Sequence, residues 1–343
     1  FSAAAHLAYT CEPPCKRAAL SGLQRFVEGR AAEWVVRHEV DAAGALLCLC
    51  EDPARPENAA DAGALLSSIM KTAHAGDAKA SPAAAHAASC LVERLATALS
   101  ASSAGTREAA RVAFRELASL QDTTVGALLT PLSASHLQPL VSRRLRSLAL
   151  PAQMAISEAV TFVLKETPRG EGCAELLPLG PTLLSLLGDA LLSAEGEEPS
   201  RERPRLLGPH ARGVALEVRL RVVSIEMLCA AMPSEKLRTA PHTELRNRMI
   251  ACFFKSLTVK QDDVVAVARD ALANVINMQK LQKELLQSSL RPILLNLADY
   301  RKLSVPLLLG LSRLLSLLSN FFNLTLGEKL LEHLRRWTDP EAV

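Results

Sequence analysis

Aromatic side chains are scarce in this chain. They make up 3% of 343 residues, with two Trp and two Tyr. No stretch alternates β-branched and polar residues, so a half-buried sheet is not expected. Both absences argue against one compact globular core, and an excess of Ala and Leu suits stacked helices joined by short links. Neither charge sign dominates: 39 basic and 36 acidic residues leave a formal net charge of +3. That excludes binding driven by bulk charge, so direct nucleic-acid binding is not expected. Phe1–Thr10 has no basic stretch ahead of its apolar part, so it is not read as a secretory leader. No run is long and apolar enough for a membrane span. The most apolar stretch, Val305–Phe322, is interrupted by Arg313 and Asn320. Its Leu307, Leu311, Leu314, Leu315, Leu318 and Phe322 form a helical stripe, not an all-round coat. The chain begins at Phe1 without an initiator Met and reads as a piece of something longer.

Chemistry is missing too. There is no phosphate-binding G-x-x-x-x-G-K-S/T loop, no G-x-G-x-x-G, no H-E-x-x-H, no G-x-S-x-G and no protein-kinase catalytic loop. No enzyme activity, cofactor or metal is therefore expected. Cys11-x3-Cys15 and Cys48-x-Cys50, with His6 and His38 nearby, invite a zinc reading. Against it, Cys48 and Cys50 sit two apart on a predicted helix and face different sides. All eight cysteines fit better as small apolar residues in a reducing compartment. Arg143, Arg144 and Arg146 form a basic cluster. With no aromatics interleaved, it reads as a solvated face and not a strand-stacking surface. Asp262 and Asp263 read as the start of a helix, and His333 as a surface or groove residue.

What is present is a repeat. Over Leu245–Trp337 the apolar pattern returns every 40 residues. Ile250, Phe254 and Leu257 recur as Leu290, Leu294 and Leu297, then as Leu330, Leu334 and Trp337. Each triplet is spaced i, i+4, i+7, one face of a helix. A partner stripe, Val267, Ala271 and Val275, recurs as Leu307, Leu311 and Leu315. The unit is thus two helices, close to the HEAT and armadillo range. Such a pair buries its apolar faces only by stacking on neighbours. The expected fold is all-α, a HEAT/armadillo-like solenoid of antiparallel helix pairs.

Taken in order, helices are expected over Pro13–Val27, within Ala31–Cys50, near Asn58–Thr72 and over Pro82–Ala101. The last has Cys90, Leu91, Leu95 and Leu99 on its apolar side. Trp34 reads as a packing residue. Thr106 is the expected cap of the next helix, whose stripe is Ala110, Ala113, Phe114 and Leu117. Thr124–Leu129, Ser135–Leu148, Pro151–Leu164 and Pro181–Leu192 follow, with an irregular link over Thr167–Gly180. Ser193–Gly213 is rich in Pro, Gly and charge and reads as a mobile insertion. Helix resumes over Ala215–Met232. The expected organisation is a helical segment over 1–192, a charged insertion over 193–213, and HEAT-like repeats over 214–343.

Part of the chain resembles a known family. The motifs are Arg246-Asn247-Arg248-Met249-Ile250-Ala251-Cys252-Phe253-Phe254-Lys255-Ser256-Leu257, Lys283-Glu284-Leu285-Leu286-Gln287-Ser288-Ser289-Leu290-Arg291-Pro292, Leu297-Ala298-Asp299-Tyr300-Arg301-Lys302-Leu303 and Lys329-Leu330-Leu331-Glu332-His333-Leu334-Arg335-Arg336-Trp337. They resemble the transformation/transcription domain-associated protein family, very large pseudokinases of the phosphoinositide-kinase-related superfamily. The likeness extends over Thr106–Leu164, Leu216–Met232 and the surroundings of Glu33–Glu39. The resemblance implies a nuclear coactivator scaffold. Its partners would be subunits of histone acetyltransferase complexes of the SAGA type, and transcriptional activators. A kinase-like domain without catalytic residues would lie far beyond this chain. The alternative is the regulatory solenoid of an active kinase of the same superfamily. A third reading, a nuclear-transport or phosphatase-scaffold HEAT protein, is weakened by the Leu245–Trp337 likeness.

Overall fold

A computed structural model describes residues 1–10, 12–51, 56–74, 81–167, 175–196, 209–278, 291, 304–317 and 335. Among the described residues there are helices and turns and no strand. The chain forms two compact units, Phe1–Leu183 and Leu184–Val343.

The first unit is built around α3 (Ala32–Leu49), which packs against α1 (Ser2–Leu7), α2 (Pro13–Val27), α4 (Pro56–His74), α5 (Pro82–Ala98) and α6 (Ala104–Leu120). Its sequence explains that place. From Ala42 to Leu47 every residue is buried, and four of the six are Ala or Gly. Small side chains let several helices approach at once, and a helix that is apolar all round belongs in the interior. At Gly44 an added Cβ would stand 2.7 Å from the Arg94 guanidinium, which crosses α3 there to reach the Tyr9 hydroxyl.

The start of α6 sits on the end of α3. Ser103 caps α6 by accepting from the Thr106 backbone N–H at 3.3 Å. Thr106, the expected cap, lies inside the helix and is buried. Its hydroxyl donates to the Leu47 carbonyl at 3.1 Å. The cap falls three residues earlier because Ser103 supplies the same oxygen from an extended backbone, which leaves Thr106 free to bond across to α3. The approach is so close that a Cβ on Gly105 would stand 2.2 Å from the Cys50 carbonyl oxygen.

α6 ends with Asp122 in the left-handed region, φ 55. The Thr123 N–H donates to the Ala118 carbonyl and the Asp122 N–H to Ser119, a Schellman closure. Thr124 then caps α7 (Val125–Leu129).

The single helix expected over Ser135–Leu148 does not form. The chain instead makes a 3-10 turn at Thr130–Leu132, a π-helical turn at Ser133–Leu137, the four-residue α8 (Gln138–Val141) and a second 3-10 turn at Leu145–Ser147. Pro139 accounts for the irregular turn before it, since in a regular α-helix it would clash with the carbonyl of Ser135; the helix then ends after Val141. α9 (Leu150–Glu166) follows, buried at every position from Gln153 to Val163.

The second unit contains most of α10 (Pro181–Glu195), then α11 (Pro209–Ala231), α12 (Thr243–Ser256), α13 (Asp262–Met278) and α14 (Val305–Leu317). α13 packs on α11, α12 and α14. Asp262 and Asp263 lie in its first turn, where negative charge suits the helix dipole. Arg221 of α11 donates to the Ala194 carbonyl at 2.7 Å, and Arg248 of α12 lies 3.6 Å from Glu195, so both hold the end of α10. At Gly310 an added Cβ would stand 2.8 Å from the Leu257 carbonyl oxygen, so α14 rests directly on the turn between α12 and α13. Helix occupies both edges of the stretch read as an insertion, since α10 runs to Glu195 and α11 begins at Pro209. Residues 197–208 lie outside the described ones.

Candidate functional site

The repeat residues divide three ways. Ile250, Phe254, Leu257, Ala271, Val275, Leu307 and Leu311 are buried, Ile250, Leu257 and Val275 completely. Val267 is half-buried and Leu315 is exposed, so the structure does not place these two in the core. Both lie on the flank of the buried arc. On α13 that arc is Val264, Val265, Ala268, Ala271, Leu272 and Val275; on α14 it is Leu307, Gly310, Leu311 and Leu314. A strict i, i+4, i+8 spacing drifts about 40° every four residues, so one end of each triplet leaves the face. Leu290, Leu294, Leu297, Leu330, Leu334 and Trp337 lie outside the described residues, as do His333 and Cys11.

Two buried polar locks, which the apolar pattern does not reveal, hold the first unit. Between α3 and α4, His74 Nε2 lies 2.9 and 3.0 Å from the two carboxylate oxygens of Glu39, both side chains buried. Between α6 and α9, Arg107 Nε donates to Glu158 Oε2 at 3.0 Å, and Arg111 reaches the same oxygen at 3.3 Å. Arg107 Nη1 also donates to the Ala101 and Ser102 carbonyls at 2.7 and 2.8 Å, tying down the link between α5 and α6. The signal in the sequence is Glu158 itself, a charge inside the apolar run Met154–Val163, which requires a buried partner.

The remaining candidates are surfaces. Arg143, Arg144 and Arg146 are exposed. α14 presents Val305, Leu308, Leu309 and Leu315 outward. An open groove of about 410 Å³ lies among His74, Ala88, Val92, Gln121, Leu128 and Leu132. Trp34 is half-buried between Phe1 and His38, with Arg30 over its ring. Among the described residues no group of three or more His, Cys, Asp or Glu could hold a metal ion. Cys48 is half-buried while Cys50 is buried. Burial, with Cys48 adding to it, pushes the Cys50 thiol up to about 11. Burial likewise pushes Cys252 up to about 11. No described helix is long and apolar enough to cross a membrane.

Stacked helix pairs and buried interhelical locks define a class: HEAT-type helical repeats. The family model for the Tra1 HEAT repeat ring region matches residues 1–343. The chain belongs to that family. It is 36% identical over 195 residues to the probable transcription-associated protein 1 of Dictyostelium discoideum, covering 57% of this chain and 4% of that protein. It is 34% identical over 238 residues to the SAGA complex/NuA4 acetyltransferase complex subunit Tra1 of Schizosaccharomyces pombe, covering 69% of this chain and 6% of that protein. The Saccharomyces cerevisiae subunit of the same name is 30% identical over the same length, with the same coverage. The chain thus spans 4 to 6% of the length of these relatives.

Proposed function

We propose that this chain is a non-catalytic scaffold segment of a transcription coactivator subunit, working in the nucleus within histone acetyltransferase complexes. One observation carries the reading: the whole chain matches the Tra1 ring region, and relatives with that region are named as SAGA and NuA4 acetyltransferase complex subunits. Its mechanism is geometric. Buried polar locks in the first unit and apolar arcs in the second fix helices against their neighbours, and the resulting faces are read by complex subunits and by transcriptional activators. The segment supplies no acetyltransferase, kinase or hydrolase chemistry, no cofactor and no metal. It makes no direct contact with nucleic acid or membrane. Residues 193–213 act as a charged insertion between two runs of repeats, and the 40-residue period continues through Trp337.

The test uses the full-length protein. Removing residues 245–337 takes out several stacked helices. The expected result, read by affinity purification, is loss of assembly into the acetyltransferase complex or loss of recruitment by activators. Acetylation by the separate catalytic subunit survives. A deletion protein that assembles fully and responds normally to activators overturns the proposal. Phosphotransfer by the full-length chain would favour the active-kinase alternative.

A further inference from the structure

The basic cluster lies in the link between two helices. α8 ends at Val141 and α9 begins at Leu150. Between them the chain reads Ser142-Arg143-Arg144-Leu145-Arg146-Ser147-Leu148-Ala149. Arg143, Arg144, Arg146 and Ser147 are exposed, while Leu145 is buried and anchors the link. The backbone is extended at Arg144 (φ −67, ψ 116) and at Leu148 (φ −94, ψ 159), with one 3-10 turn, Leu145–Ser147, between them. Three hydrogen bonds close that turn. The Ser147 and Leu148 N–H groups donate to the Arg144 and Leu145 carbonyls at 3.2 and 3.1 Å. The Ser147 hydroxyl donates to the Arg144 carbonyl at 2.7 Å.

A serine three residues after an arginine has a chemical reader. Serine kinases that select basic substrates set carboxylates against that guanidinium, a bidentate pair that also fixes register. Phosphoryl transfer further requires the acceptor oxygen in line with the γ-phosphorus of ATP. That calls for an exposed hydroxyl on backbone that can lie extended. Among the described residues Arg144 and Ser147 meet both demands. The same spacing joins Arg94 to Thr97, Arg221 to Ser224 and Arg313 to Ser316, but these pairs lie inside α5, α11 and α14. Ser224 is also fully buried. Ser304 and Thr338 carry the spacing too, with Arg301 and Thr338 outside the described residues.

We propose that Ser147 is a phosphorylation site, modified by a serine kinase that reads Arg144. The Ser147 oxygen attacks the γ-phosphorus of Mg-ATP, and the bond from that phosphorus to the β,γ-bridging oxygen breaks. ADP leaves, and the hydroxyl proton passes to the catalytic carboxylate of the kinase. Engagement opens the 3-10 turn and lifts Leu145 out, a local opening that leaves α8 and α9 in place. A phosphate carries close to two negative charges, so the three arginines of the link are left with a net charge of about +1. A wholly cationic face becomes one that also presents a phosphate. The proposal stands apart from the scaffold reading, since it needs only this link and a kinase.

The experiment incubates the folded full-length protein with ATP and a calmodulin-dependent serine/threonine kinase, a reagent that requires arginine three residues before its acceptor. Phosphate is mapped by mass spectrometry over time. A synthetic peptide of residues 139–152 is run alongside. Phosphate is expected on Ser147 of the folded protein and on the peptide, and not on Thr97 or Ser224. Arg144→Gln should slow modification of Ser147 at least about tenfold, because the bidentate partner is gone. Arg144→Lys should slow it less, and Arg143→Gln should leave it nearly unchanged. Both arginines are exposed, so these variants keep the fold. Three results overturn the proposal: a modified peptide with Ser147 bare in the folded protein, an Arg144→Gln variant modified as fast as the parent, or Thr97 modified as fast as Ser147.

Discussion

The two units are held in different ways. In the first, polar groups reach across between helices: buried Glu39 to buried His74, and buried Arg107 with half-buried Arg111 to buried Glu158. Among the described residues of the second, the ion pairs Arg248–Glu195, Arg269–Asp270 and Arg313–Asp262 all lie at least partly exposed. Its helices meet through apolar arcs and a glycine contact. A directional lock accepts one partner in one geometry. An apolar arc accepts any neighbour of matching size, which is what a repeat requires if its units are to stack on one another. The first unit is therefore specified pair by pair, and the second by shape.

The contrast is broken most directly at Glu158. Glu158→Leu takes the only carboxylate from buried Arg107, which keeps its two carbonyl acceptors, and leaves Arg111 with Glu108, and should cost about 3–5 kcal/mol in denaturant unfolding. Replacing Arg107 and Arg111 by Met at the same time should return most of that loss. A cost no larger than that of a surface substitution would mean the first unit is not locked by charge.

Next comes α14, where shape alone is proposed to act. Leu311→Ala should cost about 2–5 kcal/mol, whereas Leu315→Ala should fall within about 0.5 kcal/mol of the parent. Equal losses would put Leu315 back in the core.

The smallest effect compares Cys50 in the first unit with Cys252 in the second. Both thiols are raised to about 11 from 9.0. Folding therefore favours the protonated thiol in each. The stability this confers is full below pH 9 and is lost as pH climbs through 11. Thiol-reagent labelling at pH 8 should leave both unmodified while half-buried Cys15, Cys48 and Cys90 react. Labelling of Cys252 but not Cys50 would show the second unit opening more readily than the first.

The same contrast explains what could be read from the chain. The all-α class was legible because an apolar stripe needs only local spacing. So was the acidic start of α13. The locks were not, because Glu39 and His74 stand 35 residues apart, and Arg107 and Glu158 stand 51 apart. Nothing in local spacing pairs them. Local competition produced the other misses. Ser103 took the cap from Thr106, and Pro139 broke a helix that its apolar content favoured. Val267 and Leu315 left the core face because a four-residue spacing drifts around the helix.

The seat of α6 on α3 has a mechanical meaning. A seam of Leu and Ala can slide under load, because each side chain finds another of similar size one turn along. At Gly105 no sliding position exists: moving α6 along α3 drives a backbone into the Cys50 carbonyl or tears the Thr106 hydroxyl from Leu47. The joint therefore resists shear. Pulled from its ends, the first unit should hold at this joint and yield elsewhere first.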